Sequence, residues 1–130
     1  SNLIAIHIKS FLGPLSALCG VVVAATGASC GIVRLMGGGY DQIVFAIRNM
    51  TGNITGMICD GAKLGCSFKA STGVAAAFEA AFLAMDGISV PGNDGIVEDD
   101  IEKTIRNLGD IGSKGMHETD KYILRIMECK

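Results

Sequence analysis

Apolar positions along the chain come in runs broken by glycine, and the runs carry helical spacing more often than alternation. Residues 3–12 (LIAIHIKSFL) fit a short helix, or a strand through the alternation of Ile4, Ile6 and Ile8. Gly13-Pro14 breaks the chain. Ser16 is placed to cap a helix running through residues 21–23 toward Met36, and Gly37-Gly38-Gly39 stops it. Asp41 reads as the next N-cap, with Ile43, Ile47 and Met50 on one face. The design recurs at Asp99, Ile101, Ile105 and Leu108, and both segments carry Ile-Arg-Asn before a large apolar residue, at 47–50 and 105–108. A match this short describes two similarly built surface helices rather than a duplicated domain. Residues 72–85 (TGVAAAFEAAFLAM) form the best helix by propensity, with Gly73 its weak point. Residues 86–98 read as a loop or hairpin, and Thr119 caps a last helix to Met127 that turns Tyr122, Ile123, Ile126 and Met127 inward. The predicted fold is all-α: a compact, glycine-rich helical domain with a buried central helix.

That central helix lies in a charge-free gap of 24 residues between Lys9 and Arg34, long enough to cross a bilayer. Pro14, Ser16, Thr26, Ser29 and four glycines dilute its hydrophobicity, so burial inside a protein is the expectation and no membrane partner is assigned. At 130 residues the chain is one domain, residues 1–130, with 49% hydrophobic and 18% charged residues, which excludes disorder. A formal charge of −2 gives no nucleic-acid footprint, and the lack of Trp removes stacking platforms. Five cysteines, at 19, 30, 59, 66 and 129, are an odd number without a secreted pairing pattern, so a cytoplasmic setting with free thiols is expected. The chain opens Ser-Asn-Leu without a basic stretch, so no signal peptide is expected and a fragment of a longer protein is.

Chemistry concentrates in residues 56–69, GMICDGAKLGCSFK. Cys59 and Cys66 stand seven apart among Gly56, Gly61 and Gly65. Glycine-rich loops expose backbone N–H groups, and thiolates beside such donors suit an iron–sulfur cluster. Taken by itself the spacing is weak, and the pair reads sooner as two packing cysteines, since free cysteines are ordinary core residues. Cys19 follows the Gly-Pro break near a helix start, where the dipole lowers a thiol pKa. Cys30 reads as packing and Cys129 as a terminal residue. Three cysteine ligands would leave one iron of a four-iron cluster open as a Lewis acid, whereas four would suit electron transfer.

The run PLSALCG, GASCGI, GGGYDQI, RNMTGN, GMICDGAK, GC, DGIV, TIRNLG, IG, GM and TD resembles the C-terminal alpha-chain-like domain of the L-cysteine desulfidase family, from about residue 3 to 128. That family is itself similar to the iron–sulfur L-serine dehydratase alpha chains. The resemblance implies a [4Fe–4S] cluster held by Cys19, Cys59 and Cys66, whose separations of 40 and 7 match the family pattern. It implies a lyase that eliminates sulfide from L-cysteine, leaving ammonia and pyruvate; the serine dehydratases expel water instead. The family's general base lies near the N-terminus of the full protein, outside this stretch. The chain is therefore expected to be an inactive half-site, a C-terminal fragment whose partners are the amino-acid substrate, the N-terminal part of its own polypeptide and, as an open question, another copy in a homo-oligomer. The dehydratases also use a C-terminal cysteine as a fourth ligand, a minor expectation for Cys129.

The remaining polar residues divide between site and scaffold. Asp60 and Lys63 would orient substrate or support a cluster, or simply pair in a solvated loop. Arg48 and Asn49 would meet a substrate carboxylate, or cap a helix end. His7 reads as a satisfied histidine and His117 as exposed, while Glu98, Asp99, Asp100 and Glu102 complement a helix dipole. Lys63 and Lys69 lack the phosphate cradle a pyridoxal-phosphate site requires. Two readings of other classes stay beside the lyase: a three-thiolate Zn²⁺ site, and a metal-free, thiol-rich interaction domain.

Overall fold

The computed structural model describes residues 1–129 and is all-helical. Its elements are α1 (Asn2–Leu12), α2 (Gly20–Leu35), α3 (Tyr40–Ile54), α4 (Cys66–Met85), α5 (Ile101–Asp110), a π-helical turn (Ile111–Gly115) and α6 (His117–Glu128). The first segment is a helix rather than a strand. Its Ile8 and Leu12 are buried, and His7 Nε2 lies 2.8 Å from Glu102 Oε2, tying α1 to α5. The charge-free gap is not one span: residues 13–19 separate α1 from α2.

Helix α2 is the predicted central helix. It packs against α1, α3 and α4 and buries Val22, Val23, Ala25, Thr26, Gly27, Ser29, Cys30 and Val33. Its buried hydroxyls are satisfied within the helix, Thr26 donating to the Val22 carbonyl at 2.8 Å and Ser29 to that of Thr26 at 2.8 Å. One core cluster joins Val23 and Cys30 of α2 to Ile8, Leu12, Ile47, Ile101, Ile105 and Leu108. A second joins Val22 and Ala25 to Met50, Ile54 and the Ala76, Ala77, Ala80 face of α4.

The α2–α4 contact depends on small residues. A Cβ on Gly73 would stand 2.6 Å from Val21 Cγ1 and 3.3 Å from Ala25 Cβ, so the helix accepts a poor helix former to let the backbones approach. Helix α4 therefore starts at Cys66, six residues before the predicted Thr72, because neither Thr72 nor Gly73 is a boundary. It is the one described helix long and apolar enough to cross a membrane. Its alanine face is buried in the bundle, whereas Phe68, Val74, Phe78 and Phe82 are exposed on the other side.

Several predicted caps move. Ser16 does not cap α2; Cys19 occupies the N-cap position, in an extended conformation. Gly39, not Asp41, precedes α3, because the Gln42 side chain reaches back to accept the Gly39 N–H at 2.9 Å. Asp100, rather than Asp99, caps α5 by accepting from Glu102 N–H at 2.9 Å. Residues 86–98 are an irregular loop, not a hairpin, and Thr104 accepts the Glu98 N–H at 2.9 Å to hold its end. The largest correction is α6. It starts at His117 instead of Thr119 and buries no residue, with Tyr122, Ile126 and Met127 exposed and Ile123 half-buried.

Candidate functional site

Cys19 and Cys59 are brought together by the one isolated strand-like pairing among the described residues, an antiparallel bridge between Leu18 and Ile58. Cys19 N–H donates to the Met57 carbonyl at 3.0 Å, and Cys59 N–H to that of Ala17 at 2.6 Å. Side chains alternate across such a ribbon, so Leu18 and Ile58 take one face while Cys19 and Cys59 share the other. The two cysteines are diagonal neighbours, a relation that sets side chains about 7–8 Å apart. Cys19 is buried and Cys59 half-buried against the same core cluster.

Cys66 arrives from the third segment. It is the first residue of α4, its N–H donates to the Lys63 carbonyl at 2.9 Å, and its Sγ lies 3.5 Å from the Gly61 carbonyl. Gly61, at φ 92°, makes the left-handed turn that sends the chain from Cys59 back toward α4. Two of the three thiols thus stand where a helix begins, Cys19 at α2 and Cys66 at α4, with the positive ends of both dipoles beside them.

The intervening charges form a small network. Lys63 and Lys69 both bind Asp60, Lys63 at Oδ2 and Lys69 at Oδ1 at 2.6 Å. These bonds hold the Asp60 carboxyl well below the usual carboxylate range. Lys69 Nζ also donates to the Ile58 carbonyl at 2.8 Å. Its ammonium is raised above its ordinary range, first by the bond to Asp60 and further by the charges of Asp60, Cys19 and Cys66. Sequence reasoning weighed Lys69 only as a pyridoxal-phosphate lysine and missed its place in this network. Its signal was the spacing from Cys66, since residues three apart share a helix face.

The segment before Cys19 is pinned from behind. Ser16 Oγ accepts the Leu18 N–H at 3.0 Å and donates to the Gly112 carbonyl of the π-helical turn at 2.7 Å. Beyond that turn, α6 lies over the cysteine loop. One cavity of about 210 Å³ is lined by Cys59, Gly61, Leu15, Ser16 and Asp120, Ile123, Leu124 and Met127 of α6. A second, of about 200 Å³, lies between Ile58, Asp60, Lys63 and Ile123, Ile126, Met127.

Not every candidate joins this site. Asn49 lines a separate cleft, its amide committed to the 86–98 loop: it donates to the Ile88 carbonyl at 3.0 Å and accepts from Val90 N–H at 2.9 Å. Arg48 donates to the Asp99 carbonyl at 2.6 Å, so neither residue caps the end of α3. Cys30 sits in the α1–α5 core cluster, where burial pushes its thiol up to about 11. Cys129 follows α6 and is exposed, as is His117.

Among the described residues no three His, Cys, Asp or Glu side chains converge closely enough to hold a single metal ion. A four-iron cluster makes a different demand, since its irons occupy separate corners and its thiolates stand correspondingly apart. Three soft sulfur donors, two of them at helix N-termini, fit that group in donor chemistry.

Relatives carry a similar sequence within longer proteins. The chain is 58% identical over all 130 residues to a UPF0597 protein of Phocaeicola vulgatus and 57% identical to one of Oleidesulfovibrio alaskensis. A UPF0597 protein of Clostridium botulinum is 54% identical over 128 residues, 98% of the chain. In each case the match spans 30% of the relative's length. No solved structure matches the chain. The family profile described as serine dehydratase alpha chain matches residues 1–125, and the chain belongs to that family.

Proposed function

We propose that the chain is the cluster-holding domain of an amino-acid β-eliminating lyase, with Cys19, Cys59 and Cys66 as ligands of a [4Fe–4S] cluster. The observation that carries this reading is the Leu18–Ile58 bridge, which puts Cys19 and Cys59 on one face of a ribbon beside the start of the Cys66 helix. A single-ion zinc site draws less support, because its thiolate ligands must all lie about 2.3 Å from one centre and, among the described residues, no three side chains converge that way.

When bound, the cluster supplies an open iron that acts as a Lewis acid on the departing β-substituent. The chain's own residues do the rest. The starts of α2 and α4 place the positive ends of two helix dipoles beside Cys19 and Cys66, where the negative charge of a thiolate-bound cluster would stand. Asp60, engaged by two lysines, keeps the Cys59 loop in place, and Lys63, half-exposed beside it, meets a substrate carboxylate. The α-proton is removed by a group on another part of the longer protein, so this chain binds the cluster without turning over substrate.

The substrate is L-cysteine, giving hydrogen sulfide, ammonia and pyruvate; the second reading, favoured by the family match, is L-serine with water leaving. The test is anaerobic reconstitution with iron and sulfide, read by absorbance and iron-to-sulfide ratio, with serine variants at all five cysteines. Loss of the cluster in the Cys19, Cys59 and Cys66 variants, and its retention in the Cys30 and Cys129 variants, is expected. Uptake that survives Cys59→Ser and Cys66→Ser would overturn the ligand set. Pyruvate release from the two amino acids by the full-length protein then assigns the substrate.

A further inference from the structure

We infer that Lys69 is the positioning residue of the thiol site: its ammonium clamps the Cys59 segment onto the helix that Cys66 begins. The inference deepens the cluster reading and rests on it for its consequence, but the clamp itself is a property of the chain. Lys69 Nζ binds the Ile58 carbonyl at 2.8 Å and Asp60 Oδ1 at 2.6 Å, the residues on either side of Cys59. Its backbone lies one turn from Cys66 on α4. Cys59 N–H is in turn bonded to Ala17, two residues before Cys19. One side chain thus ties the third cysteine-bearing segment to the second, which is itself bonded to the first.

The chemistry of the clamp suits its neighbours. Lys69 is 22% exposed at the side chain, so its charge is only partly screened by solvent. Two lysines against one aspartate leave one surplus positive charge beside three thiols. A neutral group in that place would hold the loop less firmly and would leave the negative charge of a bound cluster uncompensated. A cluster gaining an electron becomes more negative, so the same cation favours the reduced state.

The experiment compares Lys69→Met, Lys69→Arg and Asp60→Asn in this chain by hydrogen exchange of residues 57–60 without metal, then by anaerobic reconstitution. Lys69→Met is expected to speed exchange of the Cys59 amide about tenfold or more, the worth of a hydrogen bond to a charged group, while the amides of α2 and α3 keep their rates. Asp60→Asn is expected to have a smaller effect, and Lys69→Arg to restore protection. In reconstituted protein, Lys69→Met should hold less iron and show a more negative reduction potential, with Lys69→Arg returning the potential toward wild type. Unchanged exchange in Lys69→Met, or an unchanged potential, would overturn the inference. If the wild-type chain takes up no iron, the cluster reading fails and the exchange data still decide the clamp.

Discussion

The contact between Gly73 and Val21 sets the spacing of the two helices that begin at the cysteines, and a double-mutant cycle can weigh it. Gly73→Ala relieves the helix of its weakest former, a gain of about 1 kcal/mol. The added Cβ, however, lies 2.6 Å from Val21 Cγ1, well inside contact distance. Val21 is β-branched on a helix and cannot readily turn away, so overpacking costs about 1–3 kcal/mol. The single variant should be destabilised by about 0–2 kcal/mol. Val21→Ala loses part of two half-buried methyl groups, about 1 kcal/mol, and regains about half of that in helix propensity. In the double variant the Val21 Cγ1 clash is gone and only the 3.3 Å approach to Ala25 Cβ remains, so most of the Gly73→Ala gain should emerge, with a coupling of about 1–3 kcal/mol. Urea unfolding of the four proteins at a common slope measures it. Additive effects, or a Gly73→Ala variant more stable by the full propensity gain, would refute the close-packing argument.

Other residues give further expectations. Cys30→Ala should cost about 1–2 kcal/mol as a small core truncation yet leave iron uptake unchanged, and in the folded chain the Cys30 thiol, pushed up to about 11 by burial, should resist alkylation at pH 8. Asn49→Ala leaves the Ile88 carbonyl and Val90 N–H without their partner and should cost about 1–3 kcal/mol in unfolding experiments, with cluster uptake preserved; a loss of uptake at full stability would instead return Asn49 to the site. The Asp60 carboxyl has a lowered pKa when folded, so its stabilising contribution is present above the ordinary aspartate value and is lost as pH falls through the folded one. Protection of residues 57–60 should therefore persist through pH 4 and fade only in stronger acid, and Asp60→Asn should remove that dependence.

Patterns that depend on neighbours in sequence were legible, and those that depend on neighbours in space were not. The helical class, the buried α2, the glycine stop at 37–39 and the roles of His7 and Cys30 followed from spacing, propensity and composition. Cap positions failed where a side chain competed across a turn, as Gln42 does for Gly39. Ser16 looked like a cap because it precedes a helix, but its hydroxyl bonds Gly112, ninety-six residues away. Spacing suggested that Cys59 and Cys66 belong together, and the family resemblance added Cys19. The Leu18–Ile58 bridge that joins Cys19 to Cys59 has no local signature, since neither flank contains a strand-length alternating run. Helix α6 misled for a different reason. Ile123, Ile126 and Met127 do face the chain, but what they cover is a loop and two cavities rather than a core, and Tyr122 is left exposed.

The π-helical turn at Ile111–Gly115 joins α5 to α6 with scarcely a break. A π turn holds one more residue than an α turn, and each residue of an α-helix rotates the chain by about 100°. The extra residue therefore acts as a phase setting for everything after it. Deleting one residue there would leave α6 as long and as apolar as before, yet swing Ile123 and Met127 about a quarter turn away from the cysteine loop. A single-residue gap in this stretch is thus a change in what covers Cys59, not a trimmed connection.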